Sequence, residues 1–208
     1  MYLVATKSSV GTEDQVEMPP PTLLRLRGAT AEMVERVTAL PHRVVVLDEA
    51  KLGAAKKSAL DTRAAALRLA EQHDGYAVDM FVPQILNVNP ENVSLERSAQ
   101  WFAFEYDRGT TRTHGLERFG LPEISVKDSG FPQPMVDATI VGLAHRMISL
   151  WPENDPVTIS TVTLGDISLG YGQPAEHAED RVTRVNLDYR RPYLWVTLID
   201  DPATTIFV

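Results

Sequence analysis

Three strand patterns follow one another near the end of the chain, and this order limits the fold class most. They cover residues 157–164, 182–189 and 193–199 and are rich in β-branched and aromatic residues. A doubly wound parallel sheet needs a helix after each strand, and none is predicted between these three. The sequence therefore predicts an α+β protein, a two-layer sandwich in which about three main helices pack on a mostly antiparallel or mixed sheet.

In residues 1–90 the sequence predicts alternating strands and helices. The strand patterns cover residues 1–5, 22–28, 44–47 and 76–82. One helix begins after Thr30 as N-cap, and a second spans residues 58–73 with Gly75 as its C-cap. The apolar run at 44–47 is typical of a strand in the middle of a sheet.

Residues 91–208 contribute an aromatic strand at 101–106 and a strongly amphipathic helix that ends before Pro152. The chain contains no linker of convincing length. We expect a single compact domain over 1–208, with two packed subdomains, 1–90 and 91–208, as the alternative.

The chain has no cysteine, so disulfides, thiolate metal sites and cysteine nucleophiles are excluded. It has no apolar run near the ~18 residues that span a membrane, and we expect a cytoplasmic protein. Twenty basic and 28 acidic side chains give a net charge of −8, which argues against nucleic acid and suits a basic protein partner. The sequence contains no dinucleotide fingerprint or P-loop, so no cofactor is predicted.

The segment 111–123 concentrates polar residues around two glycines and is the candidate site. His114 and Glu117 are three residues apart, so one helical turn could present an imidazole base with a carboxylate that orients it. Arg112 and Arg118 could bind an anion through forked hydrogen bonds, with Glu123 as a further binding group. The alternative is structural: Gly115 and Gly120 permit tight turns and the charged groups satisfy one another.

The same segment carries a family resemblance. Thr113-His114-Gly115-Leu116, Arg118-Phe119-Gly120 and Pro122-Glu123 resemble a signature of bacterial domain families of unknown function, some of which occur near polymorphic toxin systems. The resemblance implies a bacterial protein of possible immunity type, and it implies no activity because those families have none established.

Two further segments have weak metal-binding patterns. Residues 87–91 are similar to the start of a calcium loop, but Asn92 and Ser98 stand where its glycine and its bidentate glutamate belong. Residues 176–180 could gather a divalent cation but are more typical of a solvated acidic loop. We therefore predict no metal.

Two functions remain open. The first is a non-enzymatic protein that binds a partner or assembles with itself, for example an immunity or adaptor component. Self-assembly could use edge strands near Met1 or Val208. The second is a hydrolase or small-anion-binding enzyme that uses His114, Glu117, Arg112 and Arg118. The geometry of the 111–123 segment distinguishes the two.

Overall fold

The computed structural model describes residues 1–7, 16–127, 129–175 and 181–207. The chain divides into two compact units, Met1–Ser94 and Leu95–Val208, and each contains its own sheet. Both sheets are antiparallel except for one strand pair. The predicted α+β class is confirmed. No helix in the described part of the chain is long and apolar enough to cross a membrane.

In its described residues, the first unit contains a four-stranded sheet and three α-helices. Its strands are β1 (Tyr2–Thr6), β2 (His42–Val46), β3 (Tyr76–Asp79) and β4 (Gln84–Ile85). Its helices are α1 (Pro21–Leu26), α2 (Ala31–Ala39) and α3 (Ala55–Gln72). The strand order is β2-β1-β3-β4, and every neighbouring pair is antiparallel. Thr30 caps α2 as predicted, because its hydroxyl accepts the Met33 amide.

Strand β1 is buried along its whole length because helices cover both faces of this sheet. Successive side chains of a strand point to opposite faces, so β1 contributes to two cores. The core on the α3 side contains Tyr2, Val4, Ala66, Leu67, Ala70 and Ala77. The core on the α1 and α2 side contains Leu3, Ala5, Leu24, Val34, Val37 and Val78.

The strand prediction for residues 22–28 is wrong, because this segment forms α1. Pro21 starts the helix, where its missing amide costs nothing, and leucine and arginine favour helix. The alternation of Leu24 and Leu26 does not mark one inward face. Leu24 is buried, whereas Leu26 is 79% exposed.

Strand positions in this sheet also differ from the prediction. Residues 44–46 lie in β2 at the edge of the sheet and are only half-buried, because β1 lies inside the sheet, and Leu47 follows the strand and is 59% exposed. Pairing with another copy through the edge near Met1 is excluded, since β1 is hydrogen-bonded on both sides. The other edge suggested for assembly, Val208, is outside the described residues.

Gly75 serves close packing and is not the cap of α3. The helix ends at Gln72 with His73 as its C-cap, and Asp74 takes the left-handed conformation with φ of 47°. A Cβ on Gly75 would lie 2.1 Å from the carbonyl oxygen of Ala5. Glycine is therefore required where the chain passes β1.

A buried ion pair connects α3 to the end of β3. Arg63 is 1% exposed and Asp79 is 0% exposed, and the Arg63 Nη2 donates to Asp79 Oδ2 at 2.8 Å. Arg63 Nε also donates to the Tyr2 hydroxyl at 3.2 Å. Asp79 Oδ1 accepts the amides of Phe81 and Val82 at 3.0 and 3.2 Å. The pair thus holds helix, strand and the following turn together.

Removal of this arginine should destabilise the protein strongly. Arg63→Met leaves the Asp79 carboxylate buried without its cation. The free energy of unfolding, measured by urea denaturation, should therefore fall by about 3–5 kcal/mol. The control Arg68→Met breaks an exposed contact with Glu91 and should change stability by less than about 1 kcal/mol. Similar losses in both variants would contradict the assignment.

The described part of the second unit contains a six-stranded sheet and three α-helices. Its strands are β5 (Ala103–Asp107), β6 (Thr110–His114), β7 (Glu123–Lys127), β8 (Thr161–Thr163), β9 (Val182–Arg190) and β10 (Tyr193–Leu198). Its helices are α4 (Gln133–Leu150), α5 (Leu164–Gly170) and α6 (Pro202–Thr205). The strand order is β5-β6-β7-β10-β9-β8, and only β7 and β10 run parallel.

The helix α5 corrects the prediction of three consecutive strands. It begins directly after β8, where Thr163 and Asp166 form a capping box. The predicted strand over 157–164 is correspondingly short. The α+β class is unaffected, because β8, β9 and β10 still pair in antiparallel order.

One face of this sheet is buried under helices. Ile124, Val126, Leu194 and Val196 point to this face and are at most 5% exposed. Gln133 at the start of α4 donates to the Thr111 hydroxyl on the same face at 2.8 Å. The side chains between these positions point to the opposite face, which therefore lies away from α4.

Helices α4 and α5 cross at two glycines. A Cβ on Gly142 would lie 2.7 Å from both Ile167 Cγ1 and Val162 Cγ1, and one on Gly170 would lie 2.6 Å from Val141 Cγ1. Neither glycine has room for a methyl group, so the close crossing depends on both.

Gly142→Ala should destabilise the second unit by about 1–3 kcal/mol, because the methyl group overpacks this crossing. Gly53→Ala is the control, since its Cβ would meet no atom within 4 Å. Thermal unfolding of both variants measures the difference. A Gly142→Ala protein as stable as the control would show that the helices separate without cost.

Candidate functional site

The 111–123 segment forms a tight turn between β6 and β7. Gly115 and Gly120 have φ of 119° and 72°, and a short 3-10 turn, Leu116–Phe119, lies between them. Positive φ is strained for residues with a side chain, so both glycines are needed for this path. Leu116 and Phe119 are fully buried and anchor the turn.

The Glu123 carboxylate organises the turn from its end. Oε2 accepts the Thr113 hydroxyl at 2.6 Å, and Oε1 accepts the amides of Gly115 and Glu117 at 2.8 and 3.1 Å. Thr113 Oγ1 in turn accepts the Ile124 amide at 2.8 Å. The carboxylate thus satisfies backbone donors that the turn exposes, and Glu123 is engaged within the chain.

His114 contacts a different carboxylate from the one predicted. Its Nε2 lies 2.7 Å from Glu105 Oε2, on the neighbouring strand β5. The hydrogen bond from His114 lowers the pKa of Glu105 below its usual value, with a smaller contribution from the charge of Arg112. Both side chains are about half exposed, 47% for His114 and 50% for Glu105. Within the described residues, the side-chain partner of His114 is Glu105 and no hydrogen bond joins His114 to Glu117.

The two arginines of the segment are directed to separate partners. Arg118 Nε donates to the Gly115 carbonyl at 3.0 Å, and its guanidinium lies 5.6 Å from the centre of the Trp101 ring. The Arg112 guanidinium lies 5.3 Å from the centre of the Tyr193 ring on β10. The five predicted residues are therefore close in sequence, but the contacts described for their side chains are with different partners.

Glu123→Ala should lower stability by about 2 kcal/mol, because it leaves two amides and a hydroxyl without their charged acceptor. Glu117→Ala is the matched control and should change stability by no more than about 0.5 kcal/mol, since its side chain is exposed. Urea unfolding of both variants tests this difference. Equal effects would contradict the structural role of Glu123.

The His114–Glu105 contact predicts a pH dependence. The folded pKa of Glu105 lies below its unfolded value, so the stability that the contact contributes is present above the unfolded pKa and is lost as the pH falls through the folded one. In an NMR titration, His114→Ala should raise the pKa of Glu105 toward its ordinary value. An unchanged titration would show that the two groups do not interact in solution.

Comparison with protein-family models, with curated proteins and with solved structures gives no match for this chain. No group of three or more His, Asp or Glu side chains within the described ranges could hold a metal ion. Asn89, in the calcium-like segment, caps a 3-10 turn by accepting the Glu91 amide at 2.9 Å. The acidic segment 176–180 lies outside the described residues.

The face of the second sheet that lies away from α4 carries polar, charged and aromatic side chains, whereas the face under the helices is mainly apolar. Cross-strand pairing places Glu105, Arg112, Ser125, Trp195 and Asp188 in one row across five strands. Neighbouring rows add His114, Lys127, Asn186, Arg190, Tyr193 and Thr197. We call these eleven residues the open face. They combine aromatic rings, charges and hydroxyls.

A cleft of about 460 Å³ lies on the open face. Its walls include Lys127, Ser129, Asn186, Asp188, Arg190 and Trp195. Arg190 Nε donates to Asp188 Oδ2 at 2.7 Å, which fixes the guanidinium at the wall. Lys127 is exposed and forms no ion pair with any residue in the described ranges. Among the described lining residues, Lys127 is therefore a cationic group available beside the indole ring of Trp195.

Two polar atoms beside this cleft are buried without a hydrogen bond. They are Arg112 Nε and Ser125 Oγ, which belong to paired positions on β6 and β7. A buried polar atom without a partner costs about 1–3 kcal/mol, so proteins retain few of them away from functional surfaces. Trp151 Nε1 and Thr183 Oγ1 are also buried without a hydrogen bond, so it is the combination of Arg112 Nε and Ser125 Oγ with the cleft that marks the middle of the open face as the second candidate site.

Sequence reasoning missed the open face except for Arg112 and His114. The signal was the alternation of Tyr193, Trp195 and Thr197 with buried residues in the last strand. It indicated a half-exposed strand, but the partners of these residues come from four other strands and depend on register.

A buried serine–histidine contact is also present in the second unit. Ser98 Oγ lies 3.3 Å from His145 Nδ1, and burial lowers the pKa of His145. Ser98 has no exposed surface, so it cannot reach a substrate in this conformation. The nearby Asp166 carboxylate is occupied by Thr163 at the start of α5. The contact is therefore part of the packing of α4.

Proposed function

We propose that this protein is a cytoplasmic, non-enzymatic component that binds another protein through the open face. The observation that carries the proposal is the row of anchoring side chains on that face, with two aromatic rings beside arginines. Tyrosine, tryptophan and arginine are the residues that contribute most to protein–protein binding.

The open face has the composition of an interface. Tyr193 and Trp195 are half-buried, and their ring centres lie 6.3 Å apart in an edge contact. Arg112 covers one side of Tyr193, and Arg190 is held by Asp188. These groups are positioned before a partner arrives, so little side-chain entropy is lost on binding.

The charge of the second unit suits a basic partner. Residues 95–208 carry 16 acidic and ten basic side chains, whereas residues 1–94 carry 12 acidic and ten basic. The excess of negative charge speeds association with a positive protein over long distance, while the rings of the open face supply short-range contacts.

The 111–123 turn supports binding over catalysis. Its candidate carboxylate Glu123 accepts three hydrogen bonds from the chain, and Arg118 donates to the Gly115 carbonyl, so both groups are engaged within the fold. The resemblance of this turn to bacterial families near toxin systems favours an immunity or adaptor role. Such a role needs a stable surface and no reactive group.

A small anion is the second candidate ligand, and the cleft beside Lys127 favours it. A volume of about 460 Å³ lies within the ~300–1,000 Å³ usual for small-molecule sites. Calorimetric titration with inorganic phosphate and with AMP tests this alternative. Heat that disappears in Lys127→Ala would support a small-anion site in place of the protein partner.

Substitutions on the open face should abolish partner capture. Trp195→Ala removes an anchor, and Thr197→Arg adds bulk at an exposed position without disturbing the core. Each should reduce the amount of a stoichiometric partner captured from the native cells at least tenfold. The partner is identified by mass spectrometry, and thermal unfolding confirms that each variant is folded.

The control is Tyr171→Ala, which removes an aromatic ring that is 38% exposed at the end of α5, outside the open face. It should retain the partner fully. The proposal is rejected if no protein is captured in stoichiometric amount, or if all three variants retain the partner equally.

A further inference from the structure

An apolar pocket lies at the end of α4, in the second unit. Its walls are Gly120, Pro122, Trp151, Pro156, Val157 and Tyr189, and Asp155 completes its lining. Two of these apolar residues are well exposed for their type, Val157 at 41% and Tyr189 at 47%. Contiguous exposed apolar side chains of this kind mark interaction sites.

This pocket is separate from the open face. Tyr189 pairs with Leu194 in the sheet, so its ring points to the face that carries α4. The open face lies on the opposite side. An occupant of the pocket therefore does not compete for the anchors of the proposed function, and the two sites can be tested independently.

We infer that the pocket binds a proline-containing segment of a protein partner, in the extended polyproline II conformation, with a basic side chain next to the prolines. This inference specifies a second contact with a partner and does not rest on the open face.

The shape and composition of the pocket favour this occupant. Its volume of about 240 Å³ is below the ~300 Å³ at which small-molecule pockets begin, but it suits a few side chains of a peptide. Aromatic-lined grooves bind polyproline II segments, because the prolines stack on the rings and the segment is already stiff. Trp151 and Tyr189 supply the rings, and Pro122 and Pro156 supply further flat apolar walls.

The charge beside the pocket determines the flanking residue. Asp155 is exposed, and its Oδ1 accepts the Val157 amide at 3.0 Å, which fixes the carboxylate at the pocket. Glu117, in the adjacent 3-10 turn that leads to Gly120, is a second exposed carboxylate. The fixed carboxylate of Asp155 in the lining of an apolar groove selects an arginine or lysine in the ligand.

The test uses the full chain and three synthetic peptides of equal length: oligoproline with an arginine at each end, oligoproline with a glutamate at each end, and a glycine–serine peptide with arginines. NMR titration follows the indole N–H signal of Trp151 and the ring of Tyr189. The arginine-flanked oligoproline should shift both signals at the lowest concentration, the glutamate-flanked one more weakly, and the glycine–serine peptide not at all.

Two variants test the aromatic ring and the negative charge of the pocket separately. Tyr189→Ser removes an exposed ring and should weaken binding of the arginine-flanked oligoproline about tenfold. Asp155→Asn keeps the cap on Val157, because asparagine also accepts this hydrogen bond, but removes the charge. It should weaken only the arginine-flanked peptide and leave the glutamate-flanked one unchanged or bound more tightly. Trp195→Ala, on the open face, should leave peptide binding unchanged.

The inference is overturned if the arginine-flanked oligoproline binds no better than the glycine–serine peptide, or if its shifts fall away from Trp151 and Tyr189. Failure of the proposed function would look different. In that case partner capture would be insensitive to Trp195→Ala and Thr197→Arg, while the peptide titration could still succeed.

Discussion

The functional account depends on the hydrogen bonds that the Glu123 carboxylate accepts. By accepting two turn amides and the Thr113 hydroxyl, it links the end of β6, the glycine turn and the start of β7. A carboxylate with three donors has little capacity left for an external ligand. Glu123 therefore holds the turn within the fold, and the proposed function uses the sheet that this turn supports.

The two units use their sheets differently. In the first, helices pack on both faces, β1 is buried along its length, and Arg63 with Asp79 fixes α3 on β3. In the second, α4 covers one face, and rings and charges line the other. A sheet with one uncovered face can present many side chains in fixed register, which suits recognition of a second protein.

Local patterns in the sequence were sufficient for elements whose apolar residues repeat with a clear helical or strand period. The helix after Thr30 and the helix that ends before Pro152 are confirmed, as are the α+β class and the strand at the start of the chain. The segment 22–28 was predicted wrongly, because leucine spacing over so few residues fits a strand and a short helix equally well. The central place of β1 could not be predicted, since it depends on which strands pair over long distances.

Prediction of the candidate site also succeeded for local features and failed for features that depend on long-range strand pairing. The glycines at 115 and 120 correctly indicated a tight turn, because their backbone conformation is a local property. The partner of His114 is Glu105, which the β5–β6 hairpin brings close although it lies outside the 111–123 motif. The row from Glu105 to Asp188 draws on five strands. No spacing rule within a single segment reveals such a row, because it arises from the register of the whole sheet.

Site-specific photo-crosslinking in the native cells tests the central claim most directly. A photoreactive amino acid at Asn186 or Thr197 lies on the open face, and one at Tyr171 lies on α5. The account predicts one protein adduct, the same from Asn186 and Thr197, and none from Tyr171. The absence of any adduct from the open face, or the same adduct from Tyr171, would contradict it.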